Sequence, residues 1–174
     1  MLKRILAAAV MTAMLGTGAW AGQLEDGVAA YHDADFGLAL QLWRELADKG
    51  HTVAQFNVGL LYEKGHGVRR DTAEAVRWYE RAAENGDVIS QFKLGLIYAE
   101  GRDTVRQDYD KAAKWYLRAA EKNHVRAQYS VGNLYANGRG VPKDTGKAFE
   151  WYERAESTSC TYGDVALIEL PRVS

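Results

Sequence analysis

The chain has 174 residues, 47% of them apolar and 26% charged, an ordinary balance for a single soluble globular domain. Its formal net charge of -1 gives no electrostatic reason to expect a nucleic-acid partner. The lone cysteine, Cys160, excludes an internal disulfide, and with only Pro142 and Pro171 present, long helices are permitted.

Lys3 and Arg4 open the chain, followed by the apolar run "ILAAAVMTAMLGTG" and by "AWA" at 19–21, small residues where a signal peptidase reads. A membrane span needs about 20 apolar residues and this run is shorter. Residues 1–21 therefore read as a signal peptide cleaved after Ala21, with an uncleaved anchor as the alternative. Cleavage leaves no expected membrane span. It removes two basic residues and no acidic one, moving the charge from -1 to -3. The mature protein is expected to be periplasmic or secreted. There Cys160 is either a free thiol or a bridge to a second copy, so a dimer through Cys160 stays open.

Residues 22–51 form a degenerate first unit, with Tyr31, Ala39, Trp43 and Gly50 in approximate phase with the later units and a short first helix around Leu24 to His32. Three closer copies occupy 52–87, 88–124 and 125–159. Gly59, Gly95 and Gly132 are 36 and 37 residues apart, and Trp78, Trp115 and Trp151 are 37 and 36 apart. Such a period marks an array of helix pairs. Ala54, Val58, Leu61 and Tyr62 keep helical spacing, as do Ala75, Trp78, Tyr79, Ala82 and Ala83. A glycine inside a helix costs about 1 kcal/mol against alanine, so its recurrence predicts a close approach by the partner helix. Gly146 falls inside the expected last repeat helix. Residues 160–174 read as a capping helix, "YGDVALIELP", and a tail.

The pattern "A-x-x-x-[LV]-G-x-x-Y … G-x-G-V-x-x-D-x-x-x-A-x-x-W-Y-x-x-A" resembles the Sel-1-like repeat, a relative of the tetratricopeptide repeat, of the exported bacterial type. The resemblance covers Thr52 to Glu156 well and Leu24 to His51 loosely. It implies an all-α, right-handed superhelical solenoid of antiparallel helix pairs that binds other proteins through its inner surface.

"YEKGHGVRRD", Tyr62 to Asp71, has the glycines of an anion-binding nest but lacks the Gly-Lys-Ser/Thr of a phosphate loop. Its reading as punctuation is stronger. Gly65, Gly101 and Gly138 are expected as left-handed helix stops, and Asp71, Asp108 and Asp144 as N-caps. Glu74 is expected to complete a capping box with Asp71. His66, Arg69 and Arg70 are left as the solvent-facing part of the turn. "HDAD", His32 to Asp35, is the nearest thing to a metal cluster, at a turn where aspartate is common for local hydrogen bonding. No His-Glu-x-x-His or cysteine cluster points to a metal, and no serine or Cys160 has the context of a nucleophile. No cofactor is expected. Some cysteine-rich members of the family act on β-lactams. Their paired cysteines are missing here, so that activity is not carried over.

By analogy with the tetratricopeptide frame, the first helix of each unit lines the concave face. Phe56, Phe92 and Tyr129 lie three before the helical glycine, and Leu60, Leu96 and Asn133 come one turn later. They form either an open binding stripe, with Glu63 and Arg126 setting partner choice, or core packing between helices. The expected role is non-catalytic: a protein-binding adaptor of the cell envelope, its partner a component of an envelope complex or an exported effector. A periplasmic immunity protein that sequesters a toxic effector is the alternative, and an enzyme acting on β-lactam or peptidoglycan the second.

Overall fold

The computed structural model describes residues 20–162, with side chains through Ser159. The expected signal peptide and the helix expected over "YGDVALIELP" lie outside the described residues, apart from the residues at their inner edges. Among the described residues eight helices succeed one another: α1 over 20–32, α2 (Phe36–Asp48), α3 (Thr52–Lys64), α4 (Thr72–Glu84), α5 (Val88–Glu100), α6 (Tyr109–Glu121), α7 (Val125–Asn137) and α8 (Thr145–Tyr162). The closest packing joins α3 to α4, α5 to α6 and α7 to α8; α2–α3, α4–α5 and α6–α7 contacts link one pair to the next. This is an all-α repeat solenoid, in which each pair buries its neighbour's apolar face.

The helix ends are set by local chemistry. Asp71, Asp108 and Asp144 accept the backbone N–H three residues on, at 3.0 Å each. Between units the same task falls to His51, Asp87 and His124, which cap α3, α5 and α7. Gly65 and Gly138 close α3 and α7 in the left-handed conformation. Gly101 also has positive φ but a different ψ, because the longer middle loop folds back through a bridge between Arg102 and Val105. There Asp103 takes positive φ without being glycine, held by Thr72 and Arg70. Glu74 does not complete a capping box. The Asp71 N–H is already given to the Tyr62 carbonyl, and the Glu74 carboxylate turns instead to the Trp78 indole at 3.0 Å and to Arg77. His66 is a further departure: its ring stacks on Phe36 at 4.2 Å, half-buried, because the turn folds over the preceding unit. Gly146 lies in the first turn of α8, where its cost to the helix is small.

Two contacts repeat along the array. At Gly59, Gly95 and Gly132, an added Cβ would stand 2.8, 2.4 and 2.4 Å from the rings of Tyr79, Tyr116 and Tyr152. The helical glycine is thus a seat for the tyrosine of the paired helix. In the first unit Gly27 receives the Trp43 indole in the same manner. The second contact spans units. The buried amides of Gln55, Gln91 and Gln128 donate to the carbonyls of Ala47, Ala83 and Ala120 at 3.2, 2.9 and 3.2 Å, tying each unit to the one before. Phe149 on α8 is 62% exposed, whereas its equivalents Val76 and Ala113 are covered by the next helix pair.

Gly95→Ala tests the seat. Alanine favours a helix by about 1 kcal/mol, but overpacking against Tyr116 costs about 1–3 kcal/mol. The variant is expected to lower the urea midpoint; an unchanged or raised midpoint would remove the close-approach account.

Candidate functional site

The face made by α3, α5 and α7 carries all eight residues expected to meet a partner. Their i, i+3 and i+4 spacing places Phe56, Leu60 and Glu63 along one side of α3, and Phe92 and Leu96 along the same side of α5. The open aromatic stripe, however, is not formed. Phe56 is 4% exposed and packs 5.7 Å from Tyr79. Phe92 is 7% exposed, 5.7 Å from Tyr116 and stacked at 4.5 Å on His124, the cap of the next unit. A later unit lies over both rings. Tyr129 has none over it among the described residues and is 40% exposed. Of the aromatic trio, the core reading holds for two and the surface reading for one.

The remaining five divide. Arg126 is exposed with its guanidinium 5.2 Å over the Phe92 ring, and Leu60 and Leu96 are half-buried. Asn133 is exposed and accepts the Tyr152 hydroxyl proton at 2.8 Å. Glu63 is not free to select a partner, because the protein already satisfies it. Its carboxylate accepts from the Tyr79 hydroxyl at 2.6 Å, from Lys93 at 2.9 Å and from Arg102 at 3.2 Å. Burial alone would raise its pKa; the Lys93 charge, the Tyr79 hydrogen bond and the Arg102 charge outweigh burial and hold it below the ordinary carboxylate value. Burial, then the Glu63 charge, push Tyr79 well above its ordinary range, so its hydroxyl is a fixed proton donor.

One junction along, between α5 and α7, the same face opens into a cleft of about 250 Å³. Leu96, Ala99 and Tyr116 line it together with Ser130, Asn133 and Arg139. Leu96 and Asn133 are thereby brought together as expected neighbours, while Phe56, Leu60 and Glu63 sit at the preceding junction. Lys93, Arg102, Tyr116 and Arg139 were not singled out by the sequence. The signal that marks them is the column-by-column difference between repeats, with Glu63 and Lys93 replaced by Ala99 and Ser130.

The chemistry available here is hydrogen bonding and charge pairing on an apolar floor. Among the described residues, no three His, Cys, Asp or Glu side chains come together to hold a metal ion, and Asp35 of "HDAD" caps α2 by accepting the Leu38 N–H. No described helix is long and apolar enough to cross a membrane. Cys160 lies in the last turns of α8, and the dimer expected through its thiol falls outside the described side chains.

The family model of the Sel1 repeat matches residues 13–51, 52–87, 88–124 and 125–157. Among solved structures, a Sel1 repeat protein from Oxalobacter formigenes is 34% identical with a TM-score of 0.71, over 81% of this chain and 56% of its own. A protective antigen present in uropathogenic Escherichia coli strains, displaying an SLR fold, is 35% identical with a TM-score of 0.74, over 86% of this chain and 32% of its own. This chain thus spans about half of the first relative's length and a third of the second's. The cysteine rich protein B of Helicobacter pylori, 20% identical with a TM-score of 0.56, shares the fold over 75% of this chain and 93% of its own. No curated protein matches the chain.

Two substitutions test this chemistry. Glu63→Gln leaves Lys93 and Arg102 facing a neutral amide and is expected to cost about 1–3 kcal/mol in urea denaturation; a cost near zero would show that the cluster adds nothing. His124 caps α7 as a neutral acceptor, and burial, then the Arg126 charge, lower its pKa. Because the folded pKa is depressed, the stability this neutral cap contributes is complete above the ordinary histidine value and is lost as pH falls from there through the lowered folded value. His124→Asp, which copies Asp87, should therefore lose less thermal stability than the parent between about pH 7 and pH 5. Equal losses would sink this assignment.

Proposed function

The chain belongs to the Sel1 repeat family, whose members are generally protein–protein interaction modules, and from that premise we propose that it is a non-catalytic adaptor of the bacterial cell envelope. It is exported by residues 1–21 to the periplasm and grips one segment of a partner protein along the face of α3, α5 and α7. The observation that carries the reading is the cleft between α5 and α7, with half-buried Leu96 beside exposed Asn133 and with exposed Arg126 and Tyr129 on the same face. An apolar floor with a polar, charged rim is the usual anatomy of a peptide-binding groove. The stacked units build it in advance, so binding need not order the receptor.

A photo-cross-linking side chain placed at Tyr129 or Asn133 in cells is expected to trap one partner, and the same group at Arg77, on the exposed side of α4, to trap none. Equal adducts from Arg77, or none from either face position, would overturn this reading. The identity of the trapped protein separates an envelope adaptor from an immunity protein that sequesters a toxic effector.

A further inference from the structure

The two successive junctions on this face differ by an internal substitution that leaves a place empty. Counted from the helical glycines, Ala99 stands where the preceding junction has Glu63, Ser130 where it has Lys93, and Arg139 where it has Arg102. Tyr116 corresponds to Tyr79. At the preceding junction these positions hold a carboxylate between a tyrosine hydroxyl, an ammonium and a guanidinium. At the next, the carboxylate and the ammonium are gone while the tyrosine and the arginine remain, and the cleft of about 250 Å³ lies between them.

The groups left behind have weak or neutral partners. The Tyr116 hydroxyl meets Ser130, whose own proton goes to the Arg126 carbonyl at 2.9 Å. By comparison, Tyr79 has Glu63 and Tyr152 has Asn133. Burial first, against opposing neighbours, pushes Tyr116 up to about 12, so it remains a donor. Arg139 reaches only the Tyr109 hydroxyl at 3.3 Å and the Tyr109 ring, and no carboxylate pairs with it among the described residues. The charges acting around Tyr116 are Arg102, Arg126 and Glu100, and Glu100 is already bound to Arg102 at 2.7 Å. Glu100 and Arg139 both line the cleft, and because the Glu100 carboxylate is held by Arg102, Arg139 is the lining cation left to meet an incoming carboxylate.

Resting on the proposed partner face, we infer that this cleft receives a glutamate or aspartate side chain from an acidic segment of the partner protein. The incoming carboxylate takes the place that Glu63 holds one junction earlier, accepting from the Tyr116 hydroxyl and pairing with Arg139. Charge-assisted hydrogen bonds of this kind are the stronger ones in a half-buried site. Leu96 at the cleft supplies apolar contact for the methylene stem of the entering residue.

The test titrates the full chain into fluorescein-labelled hexaglutamate at low salt, read by anisotropy, with labelled hexaglutamine as control. Hexaglutamate is expected to bind and hexaglutamine not to bind. Ala99→Glu supplies the missing carboxylate from within. It should raise the melting temperature and weaken hexaglutamate at least about tenfold. Arg139→Met should weaken it similarly, which keeps the test sound if Ala99→Glu folds poorly, and Arg77→Ala should leave it unchanged. Equal binding by the parent, Ala99→Glu and Arg139→Met, equal binding of hexaglutamine, or no binding at about 1 mM peptide each overturn the inference. Failure of the peptide with the Asn133 cross-link retained removes the acidic partner alone; loss of the cross-link removes the face as well.

Discussion

The contact between a helical glycine and the ring of a tyrosine sets the terms for the rest of the molecule. Tyr79, Tyr116 and Tyr152 lie so close over Gly59, Gly95 and Gly132 that no side chain fits there. This approach fixes the spacing of each helix pair and buries a large aromatic surface. It has a second effect. A ring seated in this way carries its hydroxyl across the first helix to the face of α3, α5 and α7, where that hydroxyl needs an acceptor. Packing thus delivers a proton donor to the same place in each of the three later units.

How that donor is satisfied is what makes the units differ. Glu63 answers Tyr79 from within, with Lys93 and Arg102 around it, and this junction is closed. Asn133 answers Tyr152 at the surface. Tyr116 meets only a serine, beside an open cleft. Stability and binding draw on the same position: a side chain that closes the junction also removes the vacancy. An array built from near-identical units can therefore acquire one specific pocket by deleting a charged side chain, without a new loop or a new fold.

The fold was legible because its determinants are local or strictly periodic. The glycines, the Trp-Tyr pairs and the three aspartate caps each recur at a fixed interval, and each has a one-residue physical meaning. The candidate site was legible only in part, because its features depend on what covers a residue from elsewhere. Phe56, Phe92 and Tyr129 occupy equivalent positions, yet burial separates them, since among the described residues only the first two have a unit stacked beyond them. Glu63 reads as a surface carboxylate on α3; its partners come from α4, α5 and the loop after α5. His66 reads as an exposed turn residue, and its stacking on Phe36 depends on contact with the preceding unit. Glu74 fits the capping-box pattern, and the competing indole of Trp78 decides otherwise.

The glutamine contacts give the array a direction. Gln55, Gln91 and Gln128 are donors that always look backward, to a carbonyl of the unit already traversed. Those carbonyls also accept the Gly50, Gly86 and Asn123 N–H groups of their own turns. For these contacts, removing a later unit strands no donor in the earlier one, whereas removing an earlier unit takes away the carbonyl that a glutamine amide needs. By this contact alone, shortening the chain from its C-terminal end is the gentler operation. A ribosome releases the chain in the same order, so each glutamine emerges after the carbonyl it will meet.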